Sequence, residues 1–280
     1  MAQEDSPGKT KGSGAAHKIQ DLTIESSLKK ITHKLMIMSG KGGVGKSSIA
    51  ANLAVTLSNN GLKTGLLDVD LHGPSLAEMM GLSGLLDVVG GKFAEPKAFS
   101  ENLKVVSMAS LMRDQDQAII WRGPAKTGVI RQFISDVSWG NLDCLVIDSP
   151  PGTGDEPLTV SQTIPDAKAI VVTTPQEVSL ADVRKSINFC RHVNMEILGL
   201  IVNMATFKCP HCGEPVDLFK KADGRATAGA LSVPFLGTLP FHHDLVKACD
   251  EGKPIMSHQG TSPFHKALEA IAHQVLEQWF

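Results

Sequence analysis

The chain has 280 residues, 42% of them apolar and 20% charged, with a net charge of −2. That is enough apolar material for one large α/β domain or two small ones, and the near-neutral balance gives no drive toward nucleic acid or an anionic membrane. No apolar run is long enough to span a membrane, and five scattered cysteines make no disulfide framework, so reduced thiols and a cytoplasmic location are expected.

Residues 1–20 are rich in Gly, Ser, Lys and Ala with little to bury, and read as a disordered tail ahead of a folded domain at 21–280. The start has no apolar h-region and no Arg, and it carries Glu4, Asp5, Asp21 and Glu25, so it reads as neither a secretory signal nor a transit peptide. Strand candidates follow at Leu35–Ser39, Thr64–Asp68, Lys104–Met108, Cys144–Asp148, Ala169–Thr173, Leu198–Asn203 and Phe235–Leu239. They are nearly continuous apolar runs, as strands buried on both faces require. Helical patterns lie between them. After Lys46, the residues Ile49, Leu53 and Leu57 recur at a helical spacing up to Asn59-Asn60-Gly61, and others fall near 124–137, 179–193 and 262–280. Alternation of strand and helix predicts an α/β fold with a doubly wound, mostly parallel sheet and helices on both faces. Ligands of such sheets bind at the carboxyl ends of the strands.

Gly40-Lys41-Gly42-Gly43-Val44-Gly45-Lys46-Ser47 satisfies G-x-x-x-x-G-K-[ST] between a strand and a helix, the context that gives the pattern its meaning. The glycines let backbone N–H groups turn toward phosphate oxygens, and the helix N-terminus adds its positive dipole end. Lys46 is expected on the β- and γ-phosphates of ATP, the Ser47 hydroxyl on Mg²⁺, and Ser48 beside them. With Lys41 after the first glycine, the loop resembles the deviant Walker A group of MinD/ParA ATPases, the arsenite-pump ATPase and the nitrogenase iron protein. In that group the early lysine crosses a dimer interface to the partner's nucleotide, so the resemblance implies a homodimer with Lys41 in a catalytic role.

Asp148 ends an apolar strand in the Walker B manner and is expected on Mg²⁺. The turn Pro150-Pro151-Gly152-Thr153-Gly154-Asp155 follows, with Pro150, Gly152, Gly154 and Asp155 read as a switch that responds to the γ-phosphate. Asp68-Val69-Asp70 ends the strand after the loop helix, and its two carboxylates are expected to face different sides. Asp70 faces the phosphates and, by resemblance, orients water; Asp68 either joins the metal ligands or caps the strand end. Asn203 and Pro240, at the ends of the last two strand candidates, are the expected contacts to the base, Asn203 by resemblance.

Cys209-Pro210-His211-Cys212 gives two thiols at C-x-x-C spacing, half of a tetrahedral metal shell. There is no second C-x-x-C, and Cys144, Cys190 and Cys249 read as core or structural thiols. Two copies related by a two-fold axis would bring four thiolates together. A redox pair, a bridged Zn²⁺ and an incidental turn are the other readings of Cys209 and Cys212.

These motifs, with Asp68-x-Asp70-x-x-Gly73-Pro74-Ser75 and Trp121-Arg122-Gly123-Pro124, occur in an order that resembles the Mrp/ApbC family of iron–sulfur cluster carrier ATPases from about Lys34 onward. The resemblance implies a homodimer that binds a bridging [4Fe–4S] cluster at Cys209 and Cys212. It also implies weak Mg²⁺-dependent ATPase activity and transfer to apo-proteins, alongside cluster-assembly partners. Many bacterial members carry an extra N-terminal domain, and some eukaryotic scaffolds a four-cysteine N-terminal motif. This sequence shows neither, so no second resident cluster is expected. A MinD/ParA-like positioning ATPase is the rival reading, but the last segment carries Phe264, Leu268, Ile271, Val275 and Trp279 on one stripe without a basic face, which suits core docking better than a membrane.

Overall fold

In chain order the elements are α1 (Gly12–Leu28), β1 (Ile31–Ser39), α2 (Lys46–Asn59), β2 (Thr64–Asp68), α3 (Leu76–Met79), β3 (Asp87–Val89), β4 (Phe93–Glu95), β5 (Lys97–Ser100) and β6 (Leu103–Ser107). They continue with α4 (Gly123–Ser135), β7 (Leu142–Asp148), α5 (Asp155–Thr163), β8 (Lys168–Thr173), α6 (Ser179–His192), β9 (Ile197–Val202), β10 (Phe207–Lys208), β11 (Pro215–Val216), α7 (Gly224–Ala230), β12 (Phe235–Thr238), α8 (His243–Asp250) and α9 (Pro263–Glu277). This computed structural model describes residues 12–70, 73, 75–89, 93–111, 123–176, 179–209, 211–216 and 223–279.

Eight strands form one sheet in the order β12-β9-β8-β1-β7-β2-β6-β5, parallel except for the edge strand β5. Alternate residues of β1 feed two cores, Leu35 and Ile37 on one face and Met36 and Met38 on the other, as the two-residue strand period dictates. α2 and α9 cover the first face, and α1, α4 and α5 the second. α2 is buried almost all round, and its alanines at 50, 51 and 54 let it lie close to the strands. The order reverses around β1, so the phosphate loop sits at the switch point, where such sheets bind ligands.

α9 docks as its stripe predicts. Phe264, Leu268, Ile271 and Val275 are buried against the α2 side, and the Ser262 hydroxyl caps the helix by accepting from His265 N at 3.3 Å. Each such side chain contributes roughly 1.5–3 kcal/mol of burial. No described helix is long and apolar enough to cross a membrane.

The tail expectation is corrected at its end: residues 12–20 belong to α1. Ile24 is buried in the core, and Arg131 of α4 ion-pairs Asp21 and bonds Gln20, so tertiary contacts hold a helix that composition alone does not announce. Residues 1–11 lie outside the described residues. The turn expected through Asp155 ends one residue earlier, because Asp155 opens α5 behind an extended Gly154.

Candidate functional site

β1 ends at Ser39, and the loop that follows wraps a cleft of about 260 Å³. Gly43 and Gly45 hold φ of 76° and 80°, which only glycine adopts without strain. Gly45 has a second constraint, since a Cβ there would lie 2.4 Å from Asn203 Nδ2. No side chain caps α2, so its first N–H groups face the cleft as an anion site. Gly152 N donates to Ser39 O at 2.7 Å, tying the 150–154 turn to the loop entry, and Pro151 forms part of the cleft wall.

Lys46 is buried. Its ammonium ion-pairs Asp148 and lies 3.2 Å from Ser47 Oγ. Asp148 is in register with Asp68 across β7 and β2, and Asp68 with Ser107 across β2 and β6, which places two carboxylates side by side at the strand ends. Asp68 accepts from Asp70 N at 3.0 Å and from Ser107 Oγ at 2.9 Å. Burial and then the Asp148 charge push Asp68 up to about 8. Burial also raises Asp148, opposed by Lys46 and Ser47. The expectation that Asp68 and Asp70 face different sides needs another reason than strand alternation, because residues two apart share a face. They part because β2 stops at Asp68: Asp68 stays buried between the strands, while Asp70 leaves the sheet and lines the cleft.

Lys41 lines the same cleft, where its Nζ donates to Gln176 Oε1 at 2.6 Å. Asp155 is exposed at the start of α5, and its neighbour Glu156 is buried in an ion pair with Lys126 at 2.8 Å.

A second cavity of about 210 Å³ adjoins the first and shares Gly45, Ser48 and Met79 with it. Asn203 and Pro240, named from their strand ends, meet in its wall, joined by Met204, Phe241, His242, Leu245 and Cys249. Asn203 Nδ2 donates to Val44 O at 2.9 Å, and Cys249 Sγ lies 3.7 Å from Ser48 Oγ. Cys249, expected to be a structural thiol, is half-buried and lines this slot. Sequence reasoning did not pick out Gln176, Met204, Phe241 or His242. The only available signal was that Phe241 and His242 follow Pro240 in one loop.

Cys209 and Cys212 sit on the turn of the small hairpin β10–β11. Gly213 N donates to Cys209 O at 2.8 Å and Cys209 N to Glu214 O at 2.9 Å, a tight knuckle closed by Gly213 at φ 75°. Cys212 is exposed and Cys209 half-buried. The backbone N–H groups of Cys212 and His211, together with the Cys212 thiol, lower the Cys209 pKa and so favour its thiolate. Cys144 and Cys190 are buried, and burial raises the pKa of both. Among the described residues, no group of three or more His, Cys, Asp or Glu could hold a metal. The hairpin is pinned to the slot: Phe241 N donates to Thr206 O at 2.8 Å, and the Phe207 and Phe241 rings meet edge-on at 5.4 Å. Pro74, Trp121, Arg122 and Pro210 lie outside the described residues.

A parallel sheet with a glycine loop at its switch point, a lysine on its first turn and strand-end carboxylates beside it defines a P-loop nucleoside triphosphatase. Solved structures agree at the level of fold. The cell division ATPase MinD of Pyrococcus furiosus superposes with TM-score 0.66 at 22% identity, covering 88% of this chain and 99% of its own. The family model described as NUBPL iron-transfer P-loop NTPase matches residues 30–276, and the chain belongs to that family. An "iron-sulfur cluster carrier protein" of Methanocaldococcus jannaschii is 44% identical, over 91% of this chain and 89% of its own. The "cytosolic Fe-S cluster assembly factor CFD1" of Eremothecium gossypii is 42% identical, over 92% and 97%. A nucleotide-binding protein from Archaeoglobus fulgidus, solved in complex with ADP, is 38% identical with TM-score 0.74, covering 86% and 94%.

Proposed function

We propose that the chain is an ATP-dependent iron–sulfur cluster carrier that holds a [4Fe–4S] cluster between two copies of itself and passes it to apo-proteins. One observation carries this reading. Each chain presents one accessible C-x-x-C pair, with the Cys209 thiolate favoured, and no third ligand near it among the described residues. A four-ligand shell then requires a second chain, which a two-fold axis supplies. The names of the relatives support the cargo, and the word cytosolic in the second supports a cytoplasmic location.

In this reading the triphosphate lies against the loop 40–47 and the start of α2. Lys46 leaves Asp148 for the phosphates, Asp70 orients the attacking water, and Asn203 and Pro240 hold the base. Ser47, Asp148 and Asp68 fit Mg²⁺: two adjoining carboxylates and a hydroxyl are a hard-oxygen donor set, and the buried Asp68 and Asp148 lack enough positive charge to balance them. Mg²⁺ there would neutralise charge that develops on the phosphates. Lys41 crosses to the nucleotide of the second copy, and the turn 150–155 registers the γ-phosphate.

The test is anaerobic loading with iron and sulfide, followed by iron analysis, the visible spectrum and particle mass. The expected result is four irons per two chains, a dimer, and no iron in a Cys209→Ser, Cys212→Ser double variant. Iron bound by a monomer, unchanged iron in the double variant, or Zn²⁺ alone retained at the pair would each overturn the proposal.

A further inference from the structure

Among the described residues, two ion pairs have both partners largely buried. Lys46–Asp148 lies in the phosphate-loop cleft. The other, Lys126–Glu156, lies outside it at 2.8 Å, with side chains 14% and 6% exposed. A buried pair contributes little net stability over apolar residues of the same size, and its best-attested use is to select one arrangement of the parts it joins. The parts joined here are the first turns of α4 and α5. Lys126 follows closely on the motif Trp121-Arg122-Gly123-Pro124, to which the proposed function gives no role.

α5 starts where the turn 150–154 ends. The near end of that turn is tied down: Ser149 N donates to Ile37 O at 3.3 Å, and Gly152 N to Ser39 O at 2.7 Å, at the entry of the phosphate loop. At the far end, Gly154 brings no side chain to cap α5. The Glu156 carboxylate folds back over it instead, with Oε2 3.5 Å from the place a Cβ on Gly154 would occupy. The other partner of the pair stands on firm ground, because Ile130, Phe133 and Ile134 bury α4 in the second core. Beside the pair, Thr127 Oγ1 and Thr159 Oγ1 lie 3.1 Å apart and tie the same two helices.

We infer that Glu156, held by Lys126, is a positioning residue for the ATPase site: the pair moors the far end of the turn 150–154, so that the turn meets the γ-phosphate in one fixed place. This rests on the reading that the turn registers that phosphate. A turn moored at both ends keeps its place beside the cleft wall that Pro151 forms. With the mooring cut, the first turn of α5 can swing, and the groups around the third phosphate lose the fixed geometry that hydrolysis needs. A nucleoside diphosphate lacks that phosphate and is held as before.

The test compares the full chain with its Glu156→Gln and Lys126→Met variants in the presence of Mg²⁺. It measures affinity for ADP and for adenosine β,γ-imidotriphosphate, which is not hydrolysed, and kcat and KM with ATP. Both variants should hold ADP as the parent does, bind the triphosphate about fivefold more weakly and lose about tenfold in kcat. Lys126→Arg, which keeps the charge, should retain the parent's values. If a single variant fails to fold because a buried charge has lost its partner, the double variant Lys126→Met, Glu156→Gln removes both charges and carries the same comparison. Equal losses for ADP and the triphosphate would make the pair merely structural and overturn the inference. So would parent-like triphosphate affinity and kcat in a folded variant. Hydrogen exchange around Gly152 in the parent tests the underlying reading separately. If exchange there is the same with ADP and with the triphosphate, the turn does not register the γ-phosphate and the inference falls with it. If the parent shows a difference and the variants keep it in full, the inference alone falls.

Discussion

Lys41 and Gln176 are joined within one chain: the lysine Nζ donates to the glutamine Oε1 at 2.6 Å, across the mouth of the phosphate loop. A lysine that serves the second copy's nucleotide must first leave this partner. If Lys41 serves the second copy's nucleotide as proposed, this bond holds it back on the free chain. Gln176→Ala should tighten ATP-dependent dimerisation several-fold, in line with the 1.5–3 kcal/mol of a charged hydrogen bond discounted for its half-exposed setting. Lys41→Ala should abolish it. Sedimentation measurements with and without ATP decide the matter, and equal dimer constants for Gln176→Ala and the parent would remove the latch.

Lys46 and Asp148 form a buried ion pair, and such pairs are costly to break from one side. Lys46→Ala should abolish hydrolysis and lower stability by about 3 kcal/mol, because the Asp148 charge loses its partner. Added Mg²⁺ should return part of that loss by taking the place of the ammonium. Thermal denaturation with Mg²⁺ and with a chelator measures both effects. A melting temperature indifferent to Mg²⁺ would count against Asp148 as a metal ligand.

Asp68 gives a pH dependence with a defined sign. Its folded value of about 8 lies above the ordinary 3.8, so between those values the folded chain holds a proton that the unfolded chain has lost. The associated stability is complete below the ordinary value and is lost as pH rises through about 8. Asp68→Asn mimics the protonated form at every pH. In Mg²⁺-free buffer the melting temperature of the variant relative to the parent should climb steadily from about pH 5 to about pH 8. A difference that stays flat over that range would show that Asp68 does not carry the proton.

The cysteines should separate by reactivity. Alkylation at neutral pH is expected first at Cys209 and last at Cys144, following the lowered and raised thiol values. Because the Cys212 side chain is exposed on a hairpin turn, Cys212→Ser should change stability by no more than about 0.5 kcal/mol while removing iron binding. Peptide mapping by mass spectrometry gives the order, and Cys144 labelling ahead of Cys209 in the folded protein would contradict it.

Much of this was legible in the chain itself, for physical reasons. Strands buried on both faces must be apolar throughout, so β1, β2, β7, β8, β9 and β12 stood out, with ends shifted by a few residues at most. The phosphate loop was legible because a backbone phosphate cradle demands glycine at fixed spacing. Short elements were not. β5, α3 and α7 have too few residues for a period to register, and α1 is held by Arg131 and the core rather than by its own composition. The second slot was half legible. Strand ends pointed to Asn203 and Pro240, but His242 and Cys249 reach the slot through the course of the loop and α8, which no local pattern encodes.

Phe241 belongs to two places at once: the wall of the slot beside the phosphate loop, and the backbone bond and ring contact that steady the cysteine hairpin. A purine held in that slot, as proposed, would press on the ring that props the knuckle. If fuel and cargo are both bound as proposed, this ring is where the two would be coupled, and thermodynamic reciprocity would then make loading the thiols change how tightly the fuel is held.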